Sequence, residues 1–459
     1  MHVPAPTDSS SSSNAAAHSK AYVILLATIA AISGFLFGFD TAVINGVLFF
    51  LRKQFALNNL QTEIAASSLL LGCLIGAAAA SLISDRYGRK KSLIFAALLF
   101  SASALGSAMA NTVDVFSIFR FAGGLAIGLA SALTPVYIAE IAPSKNRGVL
   151  VSLNQLAIVV GILIAYLVNW QLSKLGDSSW RWMLAVAAIP SIVFFFGLLV
   201  IPESPRWLIA RGRKDEGEKV LTRIFGATAA QEQVADIERA VQGEAGSWAE
   251  VFQPNMRKRL GVAIALAIFS QVTGINTVLY YGSIIISEHF KGQSTSTALA
   301  ANVLIGGVNL VFTLVAMAFL DRWGRRAILM IASGGMGISL AALVFCLSLK
   351  NVSPIVMLSC IMFYVASFAF GMGPGVWLYM SEIFPTKVRG RAAALTTSTL
   401  WAGTLVVTFT FLSLVKSLGI GGTFAIYAAL CFVCFLYVWR IVPETRGRTL
   451  EQIQEHWGR

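Results

Sequence analysis

The feature that most constrains this chain is a series of twelve apolar runs, each long enough to cross a bilayer as a helix. A hydrocarbon core about 30 Å thick takes about 20 helical residues. The runs cover 21–51, 64–83, 92–113, 115–139, 148–172, 182–202, 260–287, 292–320, 327–349, 351–381, 392–415 and 417–439. Each is expected to be helical, because lipid offers unpaired backbone groups no partner. With 56% of its 459 residues hydrophobic and 12% charged, the chain lacks the polar surface of a water-soluble protein. The charged residues well inside the runs are Asp40 and Arg120.

A formal net charge of +13 would suit nucleic acid, but its distribution points elsewhere. Of the 35 Lys and Arg, 27 fall on the side of both termini and seven on the opposite side, with Arg120 inside a run. That asymmetry predicts a multi-pass protein of the cell (inner or plasma) membrane with both termini in the cytosol, and it explains the basic excess without a nucleic-acid partner. All five cysteines lie in apolar runs at no metal-binding spacing, so they are expected to pack, and no metal or cofactor is expected. Residues 1–20 are polar, with serine at 9–13, and are expected to form a disordered cytosolic tail with no cleaved signal. His2, His18, His289 and His456 fall in tails or loops, away from any path across the bilayer.

The chain also repeats itself. Asp85-Arg86-Tyr87-Gly88-Arg89 recurs as Asp321-Arg322-Trp323-Gly324-Arg325, Glu140 with Arg147 recurs as Glu382 with Arg389, and Pro202-Glu203 recurs as Pro443-Glu444. The order is kept and the offset is nearly constant, so the chain is built from two copies of one plan. The predicted fold is an all-α membrane protein of twelve transmembrane helices in two pseudo-symmetric six-helix bundles, 21–202 and 260–443, related by an axis along the membrane normal. Between them, 203–259 carries ten Lys/Arg and nine Asp/Glu with helical periodicity over 217–224 and 231–241, and short amphipathic cytosolic helices are expected there. Residues 444–459 are expected to form a cytosolic tail.

Three signatures make the family resemblance specific. Pro202-Glu203-Ser204-Pro205-Arg206-Trp207-Leu208, Gln271-x-x-Gly274-Ile275-Asn276 and Pro443-Glu444-Thr445-Arg446-Gly447 resemble those of the sugar porter family of the major facilitator superfamily, and the match covers nearly the whole chain after the tail. That family includes bacterial proton-coupled monosaccharide symporters and glucose facilitators. The resemblance implies alternating access to a midplane site for a hexose, a pentose or a polyol.

A sugar leaving water must have its hydroxyls paired again, since each unpaired one costs several kcal/mol in an apolar site. Gln155, Gln271, Asn276 and Asn309 are amides in apolar helices that both donate and accept, while Trp377 and Trp401 offer flat faces to ring C–H groups. Such amides also join helices to one another, and the residues alone leave both readings open. The resemblance implies sugar contact for all six. It further implies an apolar wall at Phe37, a contact at Ile162 where symporters of the xylose type have Gln, and an outer gate at Tyr280 and Tyr281. Ser270, Thr404 and Gly371 stand where the family commonly has larger polar groups, which leaves fewer contacts for the sugar. Gly274 is expected to bend the seventh helix and Pro374, within 371–375, to hinge the tenth.

At the cytosolic ends, the resemblance implies that Asp85, Arg86, Arg89, Glu140, Arg147 and Glu203, with Asp321, Arg322, Arg325, Glu382, Arg389 and Glu444, form a salt-bridge network between the bundles that breaks in the inward-open form. Asp40 and Arg120 differ in predicted depth by only ~6 Å at ~1.5 Å per residue, so they are expected to meet. A guanidinium stabilises a buried carboxylate, and separating the two raises its proton affinity, so Asp40 is the expected proton carrier and Arg120 its partner. The expected activity is therefore proton-coupled symport of a monosaccharide by a monomer. Rival readings are a sugar or inositol-like uniporter and a non-transporting sugar receptor. No nucleotide-binding loop and no cluster of nucleophile, base and orienting group is present, so an enzyme is not expected.

Overall fold

In the computed structural model, residues 9–143, 147–242, 248–289, 295–349, 352–385 and 388–444 are described, and they are helical apart from short connections. The first bundle comprises α1 (Ser9–Gln54), α2 (Asn59–Tyr87), α3 (Arg89–Ala108), α4 (Val113–Ile141), α5 (Arg147–Leu172) and a sixth span split into α6 (Ser179–Ala185) and α7 (Ala188–Val200). Four short helices follow: α8 (Pro205–Ala210), α9 (Lys214–Phe225), α10 (Ala227–Gln242) and α11 (Trp248–Val251). Ile209, Leu221, Ala230 and Val234 give α8 to α10 a small core of their own.

The second bundle begins with a seventh span split into α12 (Pro254–Val272) and α13 (Ile275–His289). After α14 (Thr295–Trp323) and α15 (Arg325–Ser348), the tenth span runs from α16 (Pro354–Ser367) through a π-helical turn, Phe368–Met372, into α17 (Gly373–Ile383). The last two spans form one continuous element, α18 (Arg389–Ile441), turned at Gly419, whose φ of 71° and ψ of 165° are not helical. The expected turn at Lys416 is thus three residues early, because a left-handed φ suits glycine and not lysine.

Large apolar side chains are exposed along the spans, Leu82, Val200 and Ile355 among them at 74–76%, a surface suited to lipid. Neighbouring helices approach to backbone contact through small residues. A Cβ on Gly124 of α4 would lie 1.9 Å from the Leu69 carbonyl of α2, and one on Gly72 would lie 2.2 Å from the Phe121 carbonyl. This packing fixes α4, and with it Arg120, against the centre of the bundle.

Three sequence expectations need correcting or bounding. The first helix starts at Ser9, inside the segment expected to be disordered. Adding residues to a helix already nucleated by an apolar span costs little, and Ala15 to Ala17 favour it. Glu63, placed just outside the second run, belongs to α2 and is fully buried. The tail beyond Glu444 and the side chains of Arg147, Asp321, Arg389 and the four histidines lie outside the described residues.

Candidate transport site

Seven helices converge on a central cavity holding about 840 Å³ of empty space, its open approach included. Phe37 of α1, Gln155 and Ile162 of α5, Gln271 of α12, Asn276 and Tyr280 of α13, Asn309 of α14, Trp377 of α17 and Trp401 of α18 all line it. The mix of apolar wall with few polar groups suits a small polar solute.

The seventh span delivers two of these amides because it is broken. Gly274 has φ of 91°, and a Cβ there would fall 2.4 Å from the Tyr427 ring. The Tyr364 hydroxyl donates to the Thr273 carbonyl (2.8 Å) at the break, so the interruption leaves that group paired. Across the break, Asn276 Nδ2 donates to Gln271 Oε1 (2.5 Å), Thr404 Oγ1 donates to the same oxygen (2.9 Å), and Gln271 Nε2 donates to Ser270 Oγ (2.9 Å). Ser270 and Thr404, which sequence reasoning counted as lost contacts, instead hold Gln271 in one orientation. Gly371 is a different case. Its π turn presses against α15, where a Cβ would lie 2.6 Å from the Ile328 carbonyl, so no side chain fits. Trp401 Nε1 is buried beside the cavity without a partner among the described residues, and the Trp401 ring tilts against Phe37 at 5.2 Å between centroids, joining the bundles there.

Asp40 and Arg120 do meet, Nη1 donating to Oδ1 at 2.5 Å with both side chains at most 5% exposed. Asp40 Oδ2, Arg120 Nε and Arg120 Nη2 have no partner among the described residues. Thr41, the residue after Asp40 on α1, lines the cavity together with Tyr280, so the charge pair lies one residue from the cavity wall. The two expected gate tyrosines part company. Tyr281 turns to α18, donating to the Thr408 carbonyl (2.8 Å) and stacking on Phe411.

On the face away from the α8–α11 linker, the bundles are tied together. Asn45 and Tyr166 bind α13, Arg52 pairs with Glu288 (2.7 Å), and Glu63 accepts from the Ser413 amide (2.7 Å) and hydroxyl (2.8 Å). These ties were not read from the sequence, where Asn45, Tyr166 and Glu63 look like any polar residue near a helix end.

On the linker face the repeated motifs of each copy meet at one point. Gly88 has φ of 94°, and a Cβ there would lie 2.2 Å from Glu203 Oε2, so the glycine gives both the turn and the room. The Glu203 carboxylate accepts from the Arg89 and Lys90 amides (2.8 and 3.1 Å) at the start of α3, where a negative charge is favoured. Arg89 then reaches Glu140 through two nitrogens (3.1 and 3.2 Å) and Asp85 at 3.2 Å. In the second bundle Gly324, Glu444, Arg325 and Glu382 repeat the arrangement, Glu444 accepting from the Arg325 amide (2.9 Å) and Arg325 pairing with Glu382 at 2.7 Å. Arg86 and Arg322 are exposed. The described pairs Arg89–Glu140 and Arg325–Glu382 each lie inside one bundle, and the side chains of Arg147, Asp321 and Arg389, also members of the expected bridging network, lie outside the described residues. Each Arg sits at the start of a helix anchored to its own bundle's acids.

Two bundles around a central polar cavity, with a buried charge pair beside it, define a membrane transporter of alternating-access architecture. The profile of the family described as sugar (and other) transporter matches residues 26–457, and the chain belongs to that family. It is 38% identical over 449 residues to the arabinose-proton symporter of Bacillus subtilis (strain 168), covering 96% of each chain. It is 36% identical over 482 residues to the D-xylose-proton symporter of Escherichia coli (strain K12), again covering 96% of each. The structure of the xylose transporter XylE from E. coli in a partially occluded inward-open conformation superposes with a TM-score of 0.83 at 35% identity, covering 94% of this chain and 100% of that one.

Proposed function

We propose that this protein carries a monosaccharide across the cell membrane together with a proton, as a monomer with both termini in the cytosol. The observation that carries the reading is the shared wall. Phe37 and Thr41 of α1 border the cavity lined by Gln155, Gln271, Asn276, Asn309, Trp377 and Trp401, and Asp40, beside Thr41 on the same helix, holds Arg120. Sugar binding and protonation therefore act on the same helix, α1.

Asp40 Oδ1 holds Arg120 while Oδ2 is free to take a proton. Protonation removes the charge that binds the guanidinium and frees α1 to shift against α4. Deprotonation restores the pair, since a lone carboxylate is costly in this setting. In the cavity the Gln271–Asn276 pair and the Trp401 N–H meet the sugar hydroxyls, and Phe37 and Trp377 cover its apolar face. The ties at Asn45, Tyr166, Arg52 and Glu63 support a state closed to the outside. The ion pairs within each bundle at the linker face belong to that same state.

Counterflow and uptake of a labelled monosaccharide panel in proteoliposomes, with and without an imposed pH gradient, test the reading. Accumulation against a sugar gradient only when protons flow inward is expected. Uptake that equilibrates but never concentrates under either condition would make the protein a uniporter, and binding without uptake would make it a receptor.

A further inference from the structure

The two amides that the seventh span brings to the cavity could not meet on an unbroken helix. Gln271 and Asn276 are five residues apart, which at about 3.6 residues per turn sets them about 140° apart around a continuous axis, whereas neighbours on one helix face are three or four apart. Asn276 Nδ2 nevertheless donates to Gln271 Oε1 at 2.5 Å. The pair is a product of the break at Gly274, whose φ of 91° lies outside the helical range.

The cost of the break falls on one group. The Gly274 amide donates to the Gln271 carbonyl (2.9 Å), and the Gly274 carbonyl accepts from the Thr277 amide (3.0 Å) and hydroxyl (2.7 Å). On a continuous helix that Thr277 amide would bond instead to the Thr273 carbonyl, four residues back. With the amide turned to Gly274, the Thr273 carbonyl takes its hydrogen bond from the Tyr364 hydroxyl of α16, at 2.8 Å. Thr273 and Tyr364 are at most 1% exposed, so bulk water does not reach this bond. Tyr364 also opens the irregular stretch of the tenth span, because its carbonyl accepts from the Phe368 amide at the head of the π turn. Phe368, Met372 and Trp377 beyond it line the cavity, while Tyr364 lies behind that lining. One residue outside the cavity thus underpins both interrupted spans.

We propose that Tyr364 is a positioning residue for sugar binding: by pairing the Thr273 carbonyl it holds the seventh span broken, and the break sets Gln271 and Asn276 side by side at the cavity. Without the hydroxyl, the carbonyl regains a main-chain partner by rewinding the span through Gly274. Rewinding returns the Thr277 amide to Thr273 and carries Asn276 around the axis, away from Gln271. Tyr427 flanks the same break differently. Its ring fills the space beside Gly274, where a Cβ would fall 2.4 Å away, yet its hydroxyl has no partner among the described residues. Tyr364 therefore acts through its hydroxyl and Tyr427 through its ring. The inference rests on the sugar-transport reading given above, but part of its readout needs no sugar.

The test compares Tyr364→Phe with Tyr427→Phe in the detergent-solubilised full chain, using D-xylose and D-glucose as pentose and hexose probes. Titration calorimetry reads affinity, and hydrogen exchange of peptides spanning 271–279 reads the break without sugar. Tyr364→Phe is expected to weaken binding about tenfold and to speed exchange over 271–279, whereas Tyr427→Phe, with no hydroxyl partner to lose, leaves both within about twofold. In an Asn276→Ala background the further loss from Tyr364→Phe should shrink to within about twofold, because the pair it positions is already gone. Unchanged binding and exchange in Tyr364→Phe would overturn the proposal. So would an undiminished loss in the Asn276→Ala background, equal effects of the two tyrosine substitutions, or a Tyr364→Phe chain that fails to fold while Tyr427→Phe folds, since each makes the hydroxyl merely structural. If the unaltered protein binds neither probe, the transport reading loses its support while exchange still judges Tyr364.

Discussion

Helices α1 and α13 carry the same four-residue pattern in the two copies: Gly38-Phe39-Asp40-Thr41 and Gly274-Ile275-Asn276-Thr277, separated by the 236 residues that also separate Asp85 from Asp321. The surroundings then diverge. In the first bundle the glycine lies in a continuous helix, packed so closely that a Cβ would fall 1.8 Å from the Ile158 carbonyl, and the acid turns to Arg120. In the second bundle the glycine breaks the helix, and the amide turns to Gln271 and the cavity. A carboxylate in a membrane interior needs a cation and shelter from water, whereas an amide can stay neutral at a wet surface and change partners. One repeated pattern thereby gives a buried charge pair in one bundle and a cavity-lining amide in the other.

Asp40→Asn tests the charge side and has the largest expected effect, because it keeps the shape and deletes the titratable group. Proton-driven accumulation should vanish while sugar exchange down its own gradient survives. Accumulation that persists in this variant would remove Asp40 from the coupling step, and loss of exchange as well would make the pair structural. On the solute side, Asn276→Ala strips a hydroxyl partner from the cavity and is expected to weaken sugar binding about 5- to 150-fold, with folding intact by size-exclusion chromatography. Equal binding by the two proteins would assign the amide to helix packing.

The symmetry of the two copies is tested at the linker face, where Gly88→Ala and Gly324→Ala place a Cβ against Glu203 and Glu444. Each should lower stability by ~1–3 kcal/mol, and by similar amounts, in thermal unfolding of the detergent-solubilised protein. A large drop for one and none for the other would break the equivalence. The smallest effect is expected from Thr404→Val, which keeps the shape and removes one of the two donors on Gln271 Oε1 together with the hydroxyl's alternative bond to the Leu400 carbonyl. Sugar affinity should fall about fivefold with the pH dependence of uptake unchanged.

Much of this could be read in the sequence because bilayer crossing is a property of segments. Run length and the placement of Lys and Arg yielded the spans, and the repeats at Gly88 and Gly324 yielded the two bundles. The meeting of Asp40 with Arg120 was expected from depth, as both sit in helices whose rise per residue is nearly fixed. Gln271, Asn276 and Trp377 stood out because polar and aromatic groups are conspicuous in an apolar run. Thr404 and Ser270 did not, since a hydroxyl in a membrane helix usually bonds to its own preceding turn. Only the fold shows that both also serve Gln271: Ser270 Oγ accepts from it while donating to the Ala267 carbonyl, and the single Thr404 hydroxyl proton lies within reach of both Gln271 Oε1 and the Leu400 carbonyl.

By itself, then, the sequence determined the solvent of this protein, the number of crossings, the duplicated plan and the residues rich in chemistry. Tertiary structure alone decided which of those residues share a wall, that Tyr280 faces the cavity while Tyr281 faces α18, and that Glu63 and Asn45 tie one bundle to the other. The physical reason is that a contact between two rigid bundles depends on their relative placement. No local propensity or periodicity encodes that placement, whereas burial along one helix is written residue by residue in its hydropathy.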